Sequence, residues 1–291
     1  MSIQLQAITQ QFHGQSVLDN LNLTIEPKKI YGLLGRNGAG KSTLLNIISD
    51  RLFPTSGTAT LDGETLHDND HTLGRLYLMS EVNMYNDRSR LKRLLNSTAL
   101  FYGAFDRDYA TQLAAKFDLN LNQRFGKLST GYRTIFKLIV ALCVPADYIF
   151  LDEPVLGLDA NHRELFYQAL IDSYTERPRT FVISTHLIEE IANLIEHVFI
   201  LDQHQIIVNG SVSDILDRAY MITGPDTDVT GYTAGLNVIG QDHLGGITAN
   251  YVYGALEDDR PIPDTVTIER LDLQKLFVNL TNAKEATTHV N

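Results

Sequence analysis

The segment that most restricts the fold of this chain is Gly35–Ser42, GRNGAGKS, which directly follows the apolar run KIYGLL. It matches the pattern G-x-x-x-x-G-K-[ST], and apolar residues at helical spacing come after it. Glycines allow successive backbone N–H groups to turn inward toward phosphate oxygens, and the start of a helix adds a partial positive charge. A glycine-rich connection would seldom match all four specified positions of this eight-residue pattern in this context, so the sequence predicts a phosphate-binding loop between a buried strand and a helix.

The side chains of this loop predict how it would hold a bound triphosphate. Lys41 is expected to reach the β- and γ-phosphates, and the Ser42 hydroxyl is expected to bind Mg²⁺. The helix that begins near Lys41 should bury Leu44, Leu45, Ile47 and Ile48 on its inner face. The predicted nucleotide contacts in this segment are Gly35, Asn37, Gly38, Ala39, Gly40, Lys41, Ser42 and Thr43.

Two acidic residues end another apolar run, YIFLDEP at 148–154. A buried strand here would deliver Asp152 and Glu153 to its carboxyl end, which is where open α/β sheets bind ligands. Asp152 is expected to hold Mg²⁺, and Glu153 is expected to polarise the attacking water, because phosphoryl transfer needs a positioned nucleophile and charge compensation. A solvated acidic turn would explain this segment alone equally well. The phosphate-binding loop earlier in the chain favours the catalytic interpretation.

Length and composition restrict the class of protein further. The chain has 291 residues, enough for one main domain and a smaller appended unit, and its net charge of −11 argues against a broad nucleic-acid surface. The single cysteine, Cys143, lies in an apolar run and is predicted to be a buried hydrophobic residue. The sequence shows neither a signal peptide nor a run of roughly 18 to 20 apolar residues, so a membrane role would require a partner.

The pattern along the chain predicts an α/β fold with a P-loop core and three additions. Alternating apolar residues at 3–8 and 17–25 predict an N-terminal antiparallel β subdomain. Buried parallel strands are predicted at 148–152 and 180–185. Helical periodicity at about 88–142 predicts an inserted helical subdomain, and residues 212–291 are predicted to form a small C-terminal α+β appendage.

Between the two phosphate-related motifs lies KLSTGYRTIFKLIVAL, in which LSTGY occupies Leu128–Tyr132. Here the sequence resembles the ABC ATPase family, whose LSGGQ-like signature begins a helix shortly before the acidic strand. The resemblance implies that Ser129 and the Gly131 backbone contact the γ-phosphate bound by a second subunit. For these five residues alone, a simple helix N-cap at Ser129 or Thr130 would be the default interpretation.

Further elements resemble the same family, and together the resemblance covers residues from about 2 to 211. We predict that residues 1–211 form the nucleotide-binding domain. Asp159, in GLD, corresponds to the D-loop at the dimer interface. His186, after a buried strand, corresponds to the switch histidine that contacts the γ-phosphate. Phe12 corresponds to the aromatic residue that stacks on adenine, although a phenylalanine in a strand is more often a core residue.

The sequence departs from the family pattern at three positions. Where the family usually has a glutamine that touches the metal and the membrane partner, this chain has Ser80, followed by Glu81. Ser80 is therefore expected near Mg²⁺, although its side chain is shorter than that of the glutamine. Thr130 and Tyr132 replace a glycine and a glutamine of the signature.

The resemblance implies an ATP-hydrolysing subunit of a transporter, with ATP and Mg²⁺ bound at the site. It implies a separate transmembrane permease, a second copy or a related ATPase subunit, and a place on the inner face of the cell membrane. Export is the favoured direction, and no direct nucleic-acid contact is expected. Two alternatives remain at this point: a non-transport ABC ATPase acting on ribosomes or DNA, and a P-loop kinase for a small molecule.

Overall fold

The computed structural model describes residues 2–257 and 259–282. The strands in this part of the chain are β1 (Ile3–Phe12), β2 (Gln15–Ile25), β3 (Ile30–Leu34), β4 (Ser56–Leu61), β5 (Glu64–Thr65), β6 (Leu76–Met79), β7 (Tyr148–Asp152), β8 (Thr180–Thr185), β9 (His197–Asp202), β10 (Gln205–Ser211), β11 (Ala219–Pro225), β12 (Val238–Leu244), β13 (Ile247–Tyr253) and β14 (Thr267–Arg270). The helices are α1 (Lys41–Ile48), α2 (Asp70–Leu73), α3 (Leu91–Tyr102), α4 (Arg107–Lys116), α5 (Thr130–Cys143), α6 (Ala160–Glu176), α7 (Ile188–Ile191), α8 (Val212–Leu216), α9 (Asp226–Thr233) and α10 (Leu273–Asn282).

These elements form two compact units. The first contains the described residues up to His186 together with Leu201–Ile207, and the second contains Leu187–Ile200 together with the described residues from Val208 onward. The predicted domain boundary between residues 211 and 212 stays a prediction, and residues 283–291 of the predicted appendage lie outside the described part of the chain. Within that described part, no helix is both long enough and apolar enough to cross a membrane.

The centre of the first unit is a parallel sheet. Strand β3 pairs with β8, β8 with β7, and β7 with β6, all in parallel, and the Leu201–Ile207 parts of β9 and β10 belong to the same sheet beside β3. Every residue of β3, β7 and β8 is buried, as expected for strands covered on both faces. The prediction of buried parallel strands at 148–152 and 180–185 is confirmed.

An antiparallel sheet of order β2-β1-β4-β5 forms the N-terminal part of this unit. The alternating burial of β1 and β2 confirms the antiparallel pair predicted from their sequences, while β4 and β5 were not predicted. The 88–142 segment contains α3, α4 and most of α5, and the first two helices pack against the third. These helices confirm the predicted secondary structure of the segment.

The second unit contains a four-stranded antiparallel sheet of order β12-β13-β11-β14. Helix α9 packs on β11 and β13, and α10 packs on β12 and α7. The core of this sheet is formed by Ile222, Val229, Tyr232, Val252 and Val266. This combination of an antiparallel sheet with packed helices confirms the predicted α+β character of the segment.

A buried arginine donates hydrogen bonds to backbone carbonyls at the C-terminal end of α5. The Arg179 guanidinium donates to the carbonyl oxygens of Val144 (2.7 Å) and Leu142 (2.9 Å), and to Ser173 Oγ in α6 (2.7 Å). Burial and the nearby Arg177 lower the pKa of Arg179 to about 10. The contacts satisfy carbonyl groups that a helix leaves unpaired at its C-terminal end.

Replacing Arg179 with alanine should destabilise the protein by about 2 to 4 kcal/mol, because the buried carbonyls of Leu142 and Val144 lose their donor. Urea unfolding measures this change. The matched control is Arg177→Ala, which removes an exposed cation whose pair with Asp106 spans 3.5 Å and should change stability by less than about 0.5 kcal/mol. Equal losses in the two variants would contradict the role given to Arg179.

Candidate functional site

The predicted phosphate-binding loop lies between β3 and α1, as its sequence requires. Gly38 and Gly40 have φ angles of +82° and +107°, which side-chain-bearing residues rarely adopt. Gly40 is the N-cap of α1. Because glycine has no side chain, no N-cap side chain accepts a hydrogen bond from the N–H groups of the first helical turn. This is the arrangement that a helix N-terminus needs in order to bind an anion.

Lys41 is folded back over this loop. Its side chain is buried, and Nζ donates to the carbonyl oxygens of Gly35 (2.7 Å) and Arg36 (3.2 Å). Burial lowers the pKa of Lys41, while the carboxylates of Glu153 and Asp152 act in the opposite direction. The lysine therefore lies close to both acidic residues, and a bound phosphate would supply the anionic partner that its buried charge favours.

Asp152 and Glu153 lie at the carboxyl end of β7, but their environments differ. Asp152 is 6% exposed, and its Oδ1 atom is buried without a hydrogen-bond partner among the described residues. A buried carboxylate oxygen without a partner is suited to a divalent cation, or to water bound by one. Together with the Ser42 hydroxyl in the phosphate-binding loop, Asp152 offers the oxygen ligands that Mg²⁺ prefers.

Glu153 is held by the adjacent strand. Its φ is +48°, in the left-handed region, and its N–H donates to Ser184 O (2.8 Å). One carboxylate oxygen, Oε2, lies 3.0 Å from His186 Nδ1 and 3.4 Å from Thr185 Oγ1. Because β7 and β8 are parallel and in register, with Asp152 opposite Ser184, the residues that follow each strand meet at one edge.

The structure thus brings Lys41, Asp152, Glu153 and His186 into one site. The sequence predicted each residue separately but not the direct contact of His186 with Glu153, nor the contribution of Thr185. The pairing of two predicted parallel strands, each ending in polar residues, is the signal that could have indicated both contacts.

The LSTGY residues lie at the start of α5. Ser129 is its N-cap, with Oγ accepting from Tyr132 N (3.3 Å), so the capping role considered from sequence is present. A Cβ atom on Gly131 would lie 2.6 Å from Gly157 O, so only glycine fits there without a shift. Thr134 Oγ1 also donates to Leu156 O (3.1 Å). The start of α5 is therefore packed against the segment that follows Glu153.

Asp159 caps the next helix, α6. Its Oδ1 accepts from His162 N (2.9 Å), and its Oδ2 lies 2.8 Å from His162 Nδ1. These two hydrogen bonds lower the pKa of Asp159. The ring of Tyr132 meets the His162 ring edge to face, with centroids 5.8 Å apart. Tyr132 thus forms a contact between the first turns of α5 and α6. It is one of the residues that depart from the family signature.

Two predicted residues lie at the ends of their strands. Phe12 ends β1 and is 42% exposed, so it is not a core residue and its ring is accessible to a ligand. Ser80 follows β6 directly, and its Oγ accepts from Arg51 Nη1 (3.3 Å). The Ser80, Glu81 and Val82 carbonyls all accept from Lys137 Nζ. Neither Arg51 nor Lys137 was predicted from the sequence.

A surface cavity of about 500 Å³ lies beside Ser80. We call it the tyrosine groove, and its lining residues are Arg51, Tyr77, Leu78, Met79, Ser80, Val82, Met84, Tyr85, Ser97, Thr98, Phe101, Tyr102, Lys137 and Val140. Met84 and Phe101 are 71% and 83% exposed. Burial raises the pKa of Tyr77, Tyr85 and Tyr102, so these hydroxyl groups are neutral near pH 7. Among the described residues, this lining is mainly apolar and aromatic, with three serine or threonine and two cationic side chains and no carboxylate.

Comparison with known proteins gives a consistent result. The family described as ABC transporter matches residues 18–156. The chain is 30% identical over 215 residues to the ABC transporter ATP-binding protein YtrB of Bacillus subtilis, covering 74% of this chain and 72% of that protein. It is 26% identical over 221 residues to the Nod factor export ATP-binding protein I of Cupriavidus metallidurans, covering 74% and 73%. A solved ATP binding subunit of an ABC transporter has the same fold, with a TM-score of 0.67 at 21% identity over 75% of this chain and 92% of that one.

Proposed function

This chain belongs to the ABC transporter family of ATP-binding subunits, and on that basis we propose that it hydrolyses ATP to drive a separate membrane permease. The observation that carries the proposal is the site formed by Lys41, Asp152, Glu153 and His186 at the carboxyl edge of the parallel sheet. It combines a phosphate-binding loop with a carboxylate that a neighbouring histidine holds in place. Such a site supplies the positioning and charge compensation that phosphoryl transfer requires.

Each residue of the site has a distinct role in this proposal. The loop N–H groups and Lys41 bind the phosphates, and Phe12 stacks on the adenine. Glu153 accepts a hydrogen bond from the attacking water and orients it toward the γ-phosphate, while His186 keeps the Glu153 carboxylate in position and contacts the same phosphate. Ser42 and Asp152 would hold Mg²⁺, which neutralises charge on the phosphates. Ser80 stays a predicted third metal contact; in this structure its hydroxyl accepts from Arg51 Nη1 instead.

The proposal requires two ATPase subunits. Ser129 and Gly131 at the start of α5 would contact the γ-phosphate bound by a second copy or a related subunit, with Asp159 at the interface between them. The N-terminal position of Ser129 and Gly131 on α5 supports this role, because the start of a helix favours an anion. ATP binding would then close the two subunits, and hydrolysis would separate them.

The tyrosine groove is the surface that we assign to the permease. Its exposed apolar and aromatic residues suit a short amphipathic segment, and its two cations suit a segment that carries a carboxylate. The positive charge of the groove is opposite in sign to the net charge of the whole chain, which is −11. The subunit would therefore lie on the inner face of the cell membrane. The similarity to a Nod factor export protein supports export as the direction.

Purification of the tagged protein from detergent-solubilised membranes of its own cells should yield a polytopic membrane protein in stoichiometric amount. Arg51→Glu should reduce the recovered partner about tenfold or more, because a carboxylate on the partner would then face a like charge. The matched control is Lys116→Glu, a charge reversal on α4, which lines no part of the groove. Mass spectrometry of the eluate measures both results.

The outcomes separate the two parts of the proposal. Recovery of ribosomal or DNA-bound proteins with no membrane protein would overturn the transport role and favour a non-transport ATPase. Recovery of the membrane protein in equal amounts with the parent and Arg51→Glu would keep the transport role but remove the tyrosine groove as its docking surface.

A further inference from the structure

The turn that joins β9 to β10 has an unfavourable backbone conformation for its sequence. Asp202 ends β9 and Gln205 begins β10, so Gln203 and His204 form a two-residue connection, with φ angles of +45° and +70°. A hairpin turn with two positive φ angles favours Asn-Gly, because residues with longer side chains are strained there. Strain that persists in a fold points to a function for the residues that bear it.

His204 makes two hydrogen bonds with β2. Its backbone oxygen accepts from Asp19 N (2.9 Å), and its ring Nδ1 lies 3.2 Å from Val17 O. A carbonyl oxygen can only accept, so Nδ1 must carry the proton in this contact. The ring bond is the one that depends on histidine, since any residue could supply the backbone oxygen.

The carbonyl that His204 contacts also lies against the phosphate-binding loop. A Cβ atom on Gly40 would lie 2.9 Å from Val17 O and 3.3 Å from Val17 Cγ1. The start of the loop has a similar neighbour, because a Cβ atom on Gly35 would lie 2.7 Å from Leu201 O. The 201–205 segment therefore contacts one end of the loop through Leu201, and reaches the other end through His204 and Val17.

We infer that His204 is a positioning residue for the nucleotide site. Its ring holds the Val17 carbonyl against Gly40, and so keeps the C-terminal end of the phosphate-binding loop in the shape that receives ATP. The same bond restrains the β1–β2 hairpin that carries Phe12, since Gln11 and Phe12 pair with Ser16 and Gln15 just before Val17. This inference rests on the proposed nucleotide site, and it gives the strained turn a role in ATP affinity.

Replacing His204 with glycine separates positioning from stability. Glycine adopts φ near +70° without strain, so the thermal midpoint should stay equal or rise. The lost ring bond should nevertheless weaken binding of a fluorescent ATP analogue about two- to tenfold, the range for one hydrogen bond. A merely structural residue would move affinity and stability in the same direction.

Gln203→Gly is the matched control, because it relaxes the same turn at φ +45° and leaves the His204 ring in place. It should keep the parent dissociation constant for the analogue and should equal or exceed the parent thermal midpoint. Parent-like binding by His204→Gly would overturn the inference, as would equal weakening in both variants, which would indicate a loosened turn. A parent protein that binds no ATP analogue would instead overturn the proposed function, and the positioning role with it.

Discussion

Glu153→Gln should reduce the rate of ATP hydrolysis by about 10²- to 10⁴-fold, the range expected when a general base is lost. The amide keeps the size of the side chain and can still meet His186, but it cannot accept a proton from water. ATP binding should persist, because Lys41 and the glycines of the phosphate-binding loop are unchanged. Release of inorganic phosphate measures the rate, and a fluorescent ATP analogue measures the binding.

The same variant should accumulate as an ATP-bound dimer, detectable by light scattering after size-exclusion chromatography with ATP and Mg²⁺. Glu164→Gln is the matched control, since it makes the same change at an exposed position on α6 and should hydrolyse ATP at the parent rate. Hydrolysis by Glu153→Gln at the parent rate would show that another group activates the water.

Gly40→Ala should weaken ATP binding by at least about 30-fold, equivalent to about 2 kcal/mol or more. The residue has φ +107°, and the added methyl would lie 2.9 Å from both Val17 O and Leu18 Cδ2. A backbone carbonyl cannot move aside without shifting β2, so the phosphate-binding loop must change shape instead. Isothermal titration with ATP in the presence of Mg²⁺ measures the loss.

The control for this change is Gly63→Ala, in the connection between β4 and β5. Gly63 has φ +85°, and in the described part of the chain no atom lies within 4 Å of its added methyl group. This variant should lose about 1 kcal/mol of stability from backbone strain but bind ATP as the parent does. If both variants bind ATP normally, the close packing of Gly40 against β2 is not needed for the site.

The sequence predicted the central features of the fold and site because they depend on local patterns. The continuous apolar runs of β3, β7 and β8 identify buried strands, and GRNGAGKS fixes the connection that follows the first of them. Glu153 was predicted because an acidic pair ends β7. These inferences need only the residues adjacent in the chain and the general geometry of parallel sheets.

Contacts between distant segments could not be predicted in the same way. The Arg51–Ser80 hydrogen bond joins the segment after α1 to the residue after β6, and no periodicity in either segment indicates it. The contact of His204 with Val17 joins residues 187 positions apart in the sequence. The Gln-His pair in this turn also does not resemble a favoured hairpin sequence. The tyrosine groove likewise depends on how α3 and α5 pack, which sets the positions of Tyr102 and Lys137.

The packing of Gly131 against Gly157 has a consequence for how two ATP sites would work together. In a dimer, the start of α5 in one copy would complete the site of the other, yet that same glycine rests on the carbonyl of Gly157, shortly after the copy's own Glu153. In such a dimer, a displacement of Glu153 would reach the opposite site through the few residues between Glu153 and Gly157 and through the packing of Gly157 against Gly131. Two sites linked in this way would not turn over independently, and their coupling would appear as a Hill coefficient different from one for ATP.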